Sequence, residues 1–568
     1  MSIAGGQRPP ENNHLFNRMY ILENPVLQRE LLVNLRMTRA FVLLFTYVAL
    51  LGVVVFFAWP KDQRLDLTKS PEEARQLVNW FFLGQYVLMS LIVPSFAAGS
   101  ISGEKERQTY EMLLASPMRP QAIVLGKLAA ALCHLAVLVI ASLPIVMLCL
   151  PLGGVSPYEV MATYLAMAAS VITFGMICVT ASGYFTRTAA ALVVSYLIIL
   201  PMVIFGVIVY RYFQEAGAFR LLLLTAVFPA ACALICGVLF YNTSRRLLHP
   251  PDVGAEAKDV VDPVLEQKTA VGMVIRSNQF PDKLFAPPIR TEVMADSINP
   301  VYEKELRSEL FGQGTLMLRL VIQLSMFLAL PFMAVCCFIK PDLIPWYACY
   351  VLMFNVLVGP VFAAGSITSE RERQTLELLL TTTLSPWEIL WGKMLSNLRV
   401  STVLTAFVAW PLLLAWLLPP WTYWHDTLSM LGYVAVVVMS CLTTAILAMF
   451  CSVLARKTTT AMLMAYVVII LLYAAPLAVE GFARLKYPEA AFTFWIGKFT
   501  FTSPFAAAFS LPLSPGRLFG GGAGPEATIP ANWTIFFGYL AFYGVLNLGM
   551  LLSIVELFNA RWRTRTEG

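Results

Sequence analysis

The sequence predicts an all-α membrane protein with twelve transmembrane helices, arranged as two parallel six-helix repeats. Of its 568 residues, 58% are hydrophobic and only 13% are charged, and the mean hydropathy is +0.71. Soluble globular chains have about 45–50% apolar and about 25% charged residues. The apolar residues form blocks of about 20, the length that crosses a bilayer, and a long segment of the chain occurs twice. This composition excludes a soluble enzyme, a disordered chain and a nucleic-acid-binding protein.

The apolar blocks place the spans and their orientation. Lys and Arg are more frequent in the segments that face the cytoplasm if the N-terminus lies inside, so the positive-inside rule predicts that both termini are cytoplasmic. We therefore expect a multi-pass protein of the inner (plasma) membrane. The predicted spans lie near residues 40–59, 78–98, 127–150, 158–185, 188–210, 219–241, 316–338, 347–365, 390–418, 428–454, 459–482 and 533–556.

An internal repeat connects the two halves of the chain. Residues 96–127 and 362–393 are identical at 18 of 32 positions, at a constant offset of 266. Two weaker repeats flank this match: residues 24–30 recur at 299–305, and residues 182–196 recur at 452–466. Because both halves start on the same side, the repeats are parallel and their symmetry axis should follow the membrane normal.

The repeat also gives the domain boundaries. We expect a first half at residues 1–241 and a second half at 299–568, each with a cytoplasmic lead-in helix followed by six spans. Residues 242–298 contain two Pro-Pro pairs and charges of both signs, a composition typical of a linker. We expect this linker to be cytoplasmic.

Each half begins with a predicted amphipathic lead-in helix. Asn24-Pro25 and Asn299-Pro300 supply a helix cap and a proline at the first helical position. Apolar residues recur on one side and charged residues on the other, a pattern typical of a helix at the inner membrane surface. Such a helix either anchors the chain at the membrane or also contacts a cytoplasmic partner. The candidate site residues here are Glu30, Arg36, Glu305 and Arg307.

The repeated loops after the second span of each half carry the densest charge. A charge at the bilayer centre costs roughly 2.5–3.5 kcal/mol, so these loops must lie at or beyond the membrane surface. Each continues as an amphipathic stretch of one or two turns, whose apolar residues we expect to be exposed: Tyr110, Leu113, Leu114, Leu376, Leu379 and Leu380. The near-identical copy favours a docking surface over a solvated turn. Its candidate residues are Glu104, Glu106, Arg107, Thr109 and Glu111 in the first half, and Glu370, Glu372, Arg373, Thr375 and Glu377 in the second.

The motif G-S-I-[ST]-x-E-[KR]-E-R-Q-T-x-E-x-L-L-x(11)-G-K resembles the loop between the second and third spans of ATP-binding-cassette (ABC) exporter permeases of the type-2 membrane family. The resemblance implies that each loop is a coupling helix seated in a groove of an ATPase subunit. The lead-in helix resembles the connecting helix of that family, and Ser-x4-[RK]-Thr resembles its turn between spans four and five. Such permeases usually pair as two six-span chains, whereas here two units are fused.

The resemblance also implies partners. These are two cytoplasmic ABC ATPase subunits, which bind ATP and Mg, together with membrane lipid; a periplasmic or extracellular accessory protein is a further candidate. The chain has no G-x-x-x-x-G-K-[ST] phosphate loop, no metal-ligand spacing and no catalytic set. We therefore expect that it is not an enzyme and that it contributes no catalytic or metal-binding residues.

Two other functions compete with an exporter permease: an ion-coupled secondary transporter, and an ATPase-linked membrane scaffold without a pore. The spans contain no series of Asp or Glu that could relay protons, which argues against the first. The polar residues Gln85, Tyr196, Asn355 and Tyr466 within spans are explained by hydrogen bonds between helices. For the long outer loop, residues 484–532, the resemblance implies short surface or re-entrant helices. The sequence does not indicate the substrate.

Overall fold

A computed structural model describes the spans and the loops between most of them. Contacts divide the chain into two compact units, Met1–Val260 and Val261–Gly568, and the division falls inside the segment predicted as a linker. The described residues are 25, 27–29, 38–58, 71–106, 108–116, 118–149, 156–185, 188–213, 217–248, 299–308, 323, 330–331, 333–334, 344–372, 374–417, 427–486, 491–511 and 532–562.

The first unit is helical throughout its described part. A short π-helix, Leu223–Val227, lies between α8 and α9. The helices are α1 (Thr38–Ala58), α2 (Pro71–Ala97), α3 (Ser102–Glu106), α4 (Tyr110–Leu114), α5 (Pro120–Cys149), α6 (Pro157–Tyr184), α7 (Thr188–Tyr212), α8 (Ala218–Leu222) and α9 (Phe228–Leu248).

The second unit repeats this order and adds helices near its outer loop. A 3-10 turn, Thr500–Thr502, joins α18 to α19. The helices are α10 (Pro300–Ser308), α11 (Ile344–Ala363), α12 (Thr368–Glu372), α13 (Leu376–Leu380), α14 (Pro386–Leu417), α15 (Thr427–Leu454), α16 (Thr458–Tyr473), α17 (Ala475–Lys486), α18 (Ala491–Phe499), α19 (Pro504–Phe509) and α20 (Trp533–Trp562).

Helices α6 and α15 show how closely the two units correspond. Both contain 28 residues, and both ends are displaced by the same 270 positions. The Ser156 hydroxyl caps α6 by accepting a hydrogen bond from the backbone N–H of Glu159, and Pro157 starts the helix, as expected for a well-defined helix start. Most of the α6 residues are buried, so this helix lies at the centre of its unit.

The all-α membrane fold is confirmed. Within the described residues, ten helices are long and apolar enough to cross a membrane, and no strand occurs. Helix α1 covers the predicted first span, with an apolar part at Leu44–Val53. The predicted seventh span, residues 316–338, lies almost entirely outside the described part of the chain, so the count of twelve stays a prediction.

The polar residues in the spans do join helices, as predicted. Gln85 donates to the Ser142 hydroxyl of α5 at 2.7 Å. The Tyr196 hydroxyl donates to a backbone carbonyl of α2 at 2.8 Å, and Tyr466 makes the equivalent bond to α11 at 2.6 Å. Asn355 donates to hydroxyls of α14 at 3.2 and 3.4 Å. These bonds satisfy groups that hydrocarbon could not.

One boundary differs from the sequence-based expectation. Helix α9 continues to Leu248, seven residues into the segment predicted as linker, because Tyr241 and the basic Arg245 and Arg246 still fit a helical turn. The predicted span at 459–482 corresponds to the candidate span Thr460–Gly481, within which a one-residue break at Ala474 separates α16 from α17. In the outer loop, α18 and α19 are short helices of the kind that the resemblance implied.

Candidate functional site: two charged turns

The repeated loops form two turns of the same construction, which we call the first charged turn (residues 99–119) and the second charged turn (residues 365–385). The sequence predicts one short amphipathic stretch in each; the structure shows two five-residue helices, α3 and α4 in the first turn and α12 and α13 in the second. Between them Gln108 has a φ of 56° and Gln374 a φ of 59°. A left-handed backbone is uncommon for glutamine, so its occurrence at both positions marks the same change of chain direction.

A buried serine anchors the backbone of each turn. The Ser182 hydroxyl, at the end of α6, accepts hydrogen bonds from the N–H groups of Ile101 and Ser102 at 2.9 and 2.8 Å. In the second unit Ser452 accepts the equivalent pair of bonds, at 3.1 and 3.2 Å. These N–H groups belong to the first turn of a short helix and have no partner within it. One hydroxyl therefore fixes the start of the charged turn to the neighbouring span.

Glu104 points back into the first unit. Its side chain is 13% exposed, and its carboxylate accepts a bond from Lys127 of α5 at 2.9 Å and another from the Thr109 hydroxyl. Burial disfavours the charged carboxylate, but the hydrogen bonds from Thr109 and Lys127, with the nearby charge of Arg29, outweigh it and lower the pKa of Glu104. The group stays ionised and joins the turn to the third span.

Glu370 has the same position in the second unit, and two lysines lie close to its carboxylate. Lys393 and Lys304 both lie 3.2 Å from its carboxylate, and the Thr375 hydroxyl also donates to it. Burial would raise the pKa of Glu370, but the bond from Thr375 and the two lysine charges lower it to about 2. Lys393 also pairs with Glu305 of the lead-in helix at 2.5 Å.

The basic residue that follows each of these glutamates reaches the end of the fourth span. Lys105 donates to the carbonyls of Gly183 and Phe185 at 2.6 and 3.3 Å, and Arg371 donates to the carbonyl of Ala455 at 2.6 Å. A cation at the carboxyl end of a helix interacts favourably with its dipole. Burial, together with the charge of Arg246, nevertheless lowers the pKa of Lys105 to about 8.

The second glutamate of each motif caps the fifth span. Glu106 accepts a hydrogen bond from the Thr188 backbone N–H at 2.8 Å and another from its hydroxyl. Glu372 accepts the same two bonds from Thr458, each at 3.0 Å. A carboxylate at a helix amino terminus accepts a hydrogen bond from an N–H group that has no partner within the helix, and it interacts favourably with the positive end of the helix dipole. Each turn is thus joined to the start of the third span, the end of the fourth and the start of the fifth.

The expectation that the first apolar residue of each amphipathic stretch is exposed is wrong. Tyr110 and Leu376 are only 4% and 3% exposed, because the left-handed glutamine before them turns the short helix inwards. In the second unit, Leu376 packs in a buried cluster, and Leu379 and Leu380 pack partly buried against it. In each short helix, the most exposed apolar residue is the one that directly precedes the pair of leucines in the sequence.

Four exposed side chains form the outward face of the two charged turns. Met112 is 77% exposed and Leu378 is 73% exposed, and each follows an exposed glutamate, Glu111 or Glu377. A methionine and a leucine at the apex of otherwise satisfied polar turns are candidates for burial against a partner. Met112 was not among the sequence-based candidates, although its spacing to Tyr110 could have indicated it.

The lead-in helix of the second unit lies against the start of α14. The Asn299 side chain caps α10 by accepting from two backbone N–H groups at 3.0 and 3.3 Å, and it donates to the Glu388 carbonyl at 2.7 Å. A Cβ at Gly392 would lie 2.9 Å from the Asn299 oxygen and 3.1 Å from Val301. The glycine of the repeated Gly-Lys pair therefore permits this close approach, and Lys393 adds the ion pair to Glu305.

Several sequence-based candidates are beyond what the structure describes. Arg107, Arg373, Glu30 and Arg36 lie outside the described residues, and Arg307 lies in α10 with an undescribed side chain. Sequence reasoning also missed Lys127 and Lys393 as the partners of the buried glutamates. Both belong to the repeated segment, so the repeat itself contained that signal.

Comparison with known families agrees with this duplicated construction. The family model described as ABC-2 family transporter protein matches residues 26–230 and again residues 219–553. The chain belongs to this family. As an ABC-2 chain it is a multi-pass membrane permease of an ABC transporter, the membrane component and not the ATPase, and its family works with ABC ATPase subunits. The two matches are consistent with two fused permease units. Among curated proteins no match was found.

The geometry of this ABC-2 chain favours a mechanical role for the charged turns. The carboxylates of Glu104, Glu106, Glu370 and Glu372 are already bonded within the chain, and the described residues hold no cluster of side chains suited to a metal ion. Each turn exposes an apolar side chain and is rigidly connected to three spans. A turn built in this way can transmit a displacement of its exposed side to those spans.

Proposed function

We propose that the chain provides both permease units of an ABC exporter and is driven by two separate cytoplasmic ATPase subunits that bind ATP and Mg. The observation that carries this proposal is the duplicated charged turn, tied inwards by the same set of bonds and exposing Met112 in one unit and Leu378 in the other. One chain then supplies both ATPase contacts. The substrate would move outwards across the membrane.

The bonds within each turn define how a movement would spread. An ATPase subunit that displaces α4 would pull on α3, which Ser182, Lys127 and Thr188 connect to three spans. Because buried ion pairs and caps resist bending more than solvated ones, the displacement would reach the spans instead of being absorbed in the loop. Glu104, Glu106, Thr109, Glu370, Glu372 and Thr375 are therefore supports in this proposal.

The contact itself would be made by the outward face. Glu111, Met112, Glu377 and Leu378 are exposed on α4 and α13, and we assign Arg107 and Arg373 to the same contact. In the lead-in helix, the pair of Glu305 with Lys393 would support the turn from the other side. We assign Glu30, Arg36 and Arg307 to the same function, the support of a charged turn by the lead-in helix of its own half.

Substitution of the exposed apolar residues tests the contact. Met112→Asp and Leu378→Asp should each weaken co-purification of the ATPase subunits in mild detergent, because a central apolar contact contributes about 2 kcal/mol or more, a factor of about 30 in affinity. Ala560→Asp, which places the same charge on an exposed position at the end of α20, is the matched control. Full ATPase recovery with both variants would remove the proposed contact.

The orientation can be tested independently. In cells labelled from outside, a cysteine at Gly522 in the outer loop should react, and one at Ala257 in the predicted linker should not. The reverse pattern would invert the proposed topology and place the charged turns away from any cytoplasmic ATPase.

A further inference from the structure

The first unit contains an apolar cavity far from the first charged turn. It has a volume of about 120 Å³ and lies between α2, α6, α7 and the π-helix. Ala166 lines it and Ser182 anchors the first charged turn; both are on α6, 16 residues apart. At 1.5 Å per residue the cavity is about 24 Å from the turn along the helix axis. It therefore lies in the part of the membrane domain opposite the proposed ATPase contact.

Three hydroxyl groups in the cavity wall already have partners. Thr163 donates to the Glu159 carbonyl at 2.8 Å, and Ser170 donates to the Ala166 carbonyl at 2.9 Å. The Tyr210 hydroxyl donates to the Asn79 side chain at 2.9 Å and accepts a bond from Arg220. The remaining lining is almost entirely aliphatic and aromatic. A cavity with such walls is not suited to water, which needs two to four polar partners.

The cavity reaches the surface of its unit at Phe205. This residue lines the cavity and is also 69% exposed. Exposed apolar side chains continue from it along the surface, with Ile208 48% exposed and Leu222 53% exposed. An apolar occupant could enter between these side chains without crossing a polar barrier.

Two backbone features keep the space open. Gly206 lies against Tyr86, and a Cβ at this position would come within 2.7 Å of the tyrosine hydroxyl. Leu223 and Leu224, which line the cavity, belong to the π-helix. The wider π turn is rare and is frequently found at functional sites.

The second unit has larger side chains at two of the matching positions. With the offset of 270 that relates α6 to α15, Thr163 corresponds to Tyr433 and Ala166 to Val436, each 1% exposed. The space at Thr163 is thus a property of the first unit's sequence and not of the repeated fold.

We propose that this cavity binds the terminal part of one hydrocarbon chain of a bilayer phospholipid. Left empty, it would forfeit dispersion contacts along its whole wall, and an engineered apolar cavity of about 150 Å³ binds benzene in preference to water. The surrounding bilayer supplies hydrocarbon chains at the level where Phe205 is exposed. This binding is separate from ATP-driven export and does not depend on the charged turns.

Photolabelling of the full-length protein tests the proposal. The protein is reconstituted in phosphatidylcholine vesicles that contain a phosphatidylcholine with a diazirine near the end of one acyl chain. After illumination, mass spectrometry of peptides should place the label on α6 and α7 residues that line the cavity. Thr163→Tyr, which introduces the residue of the second unit, and the milder Ala166→Val should each reduce this labelling at least fivefold.

Leu165→Tyr is the matched control, because Leu165 lies on the same helix but is 49% exposed and outside the lining. It should leave the cavity label unchanged. Equal labelling in wild type and in both filling variants, or label only on exposed surface residues, would overturn the proposal. Size-exclusion profiles identify a misfolded variant, and Ala166→Val, which adds only two methyl groups, provides the decisive comparison if Thr163→Tyr does not fold.

Discussion

The two halves of the chain resemble each other most at the charged turns and least at the opposite ends of their spans. At the turns, serine, glutamate and lysine or arginine make the same bonds to the same three spans in both units. At the other ends, the first unit has a cavity beside Thr163, whereas the second has a buried tyrosine at the matching position. Among the described residues, only the second unit has helices such as α18 in a long outer loop.

This comparison distinguishes the structural features that both halves share, the charged turns, from those that occur in one half only. A turn that meets the same kind of partner in both halves must keep both its outward face and its inward bonds. The opposite ends meet no common partner in the proposed assembly, so their packing has diverged. The predictions below test whether the two turns are as equivalent as their bonds indicate.

The largest expected effect is the loss of the buried lysine in either turn. Lys127→Met and Lys393→Met should each lower the free energy of unfolding by about 3–5 kcal/mol, because Glu104, Glu305 and Glu370 would remain largely buried without that cation. Thermal unfolding in detergent measures the loss. Lys457→Met, at an exposed position, is the control, and a lysine variant that unfolds like this control would show that its turn is not held by the ion pair.

A smaller loss of stability, similar in the two units, is expected when the serine anchors are substituted. Ser182→Ala and Ser452→Ala each leave two backbone N–H groups without their acceptor, a loss of about 1–3 kcal/mol. The two variants should unfold at nearly the same temperature, while Ser553→Ala, which removes a hydroxyl bonded only to its own helix, should have little effect. A large difference between the two anchors would mean that one turn is held in another way.

A pH-dependent effect, confined to the first unit, distinguishes the two turns. The folded pKa of Lys105, about 8, lies below its ordinary value of 10.5, so between these pH values the unfolded chain binds more protons than the folded one. Stability should therefore rise with pH in this window. Lys105→Arg copies the second turn and keeps its charge throughout, so it should remove the rise. Parallel unfolding curves for both proteins from pH 8 to 10.5 would contradict this assignment.

Much of the fold follows from the sequence because the bilayer restricts it. Blocks of about 20 apolar residues leave little choice but helices, and the offsets of the repeat identify pairs such as Tyr196 and Tyr466, whose hydrogen bonds are indeed equivalent. The end of α9 and the break at Ala474 could not be placed, because helix ends depend on local contacts that periodicity does not contain.

The site was less predictable than the fold. The motif located both charged turns, but it did not show that Glu104 and Glu370 point inwards, since partners such as Lys127 are near only after the spans pack. It also predicted Tyr110 as exposed, because a helical pattern cannot reveal the left-handed residue at Gln108. The cavity beside Thr163 has no sequence signal of its own; it becomes visible only by comparison with Tyr433 in the other half.

The central claim is that one chain supplies both ATPase contacts. Mass measurement of the intact complex, purified in mild detergent, tests it most directly. We predict one 63.0-kDa permease chain with two ATPase subunits, and one subunit fewer when either Met112→Asp or Leu378→Asp is introduced. A complex with two permease chains, or one whose ATPase content is unchanged by both substitutions, would contradict the account.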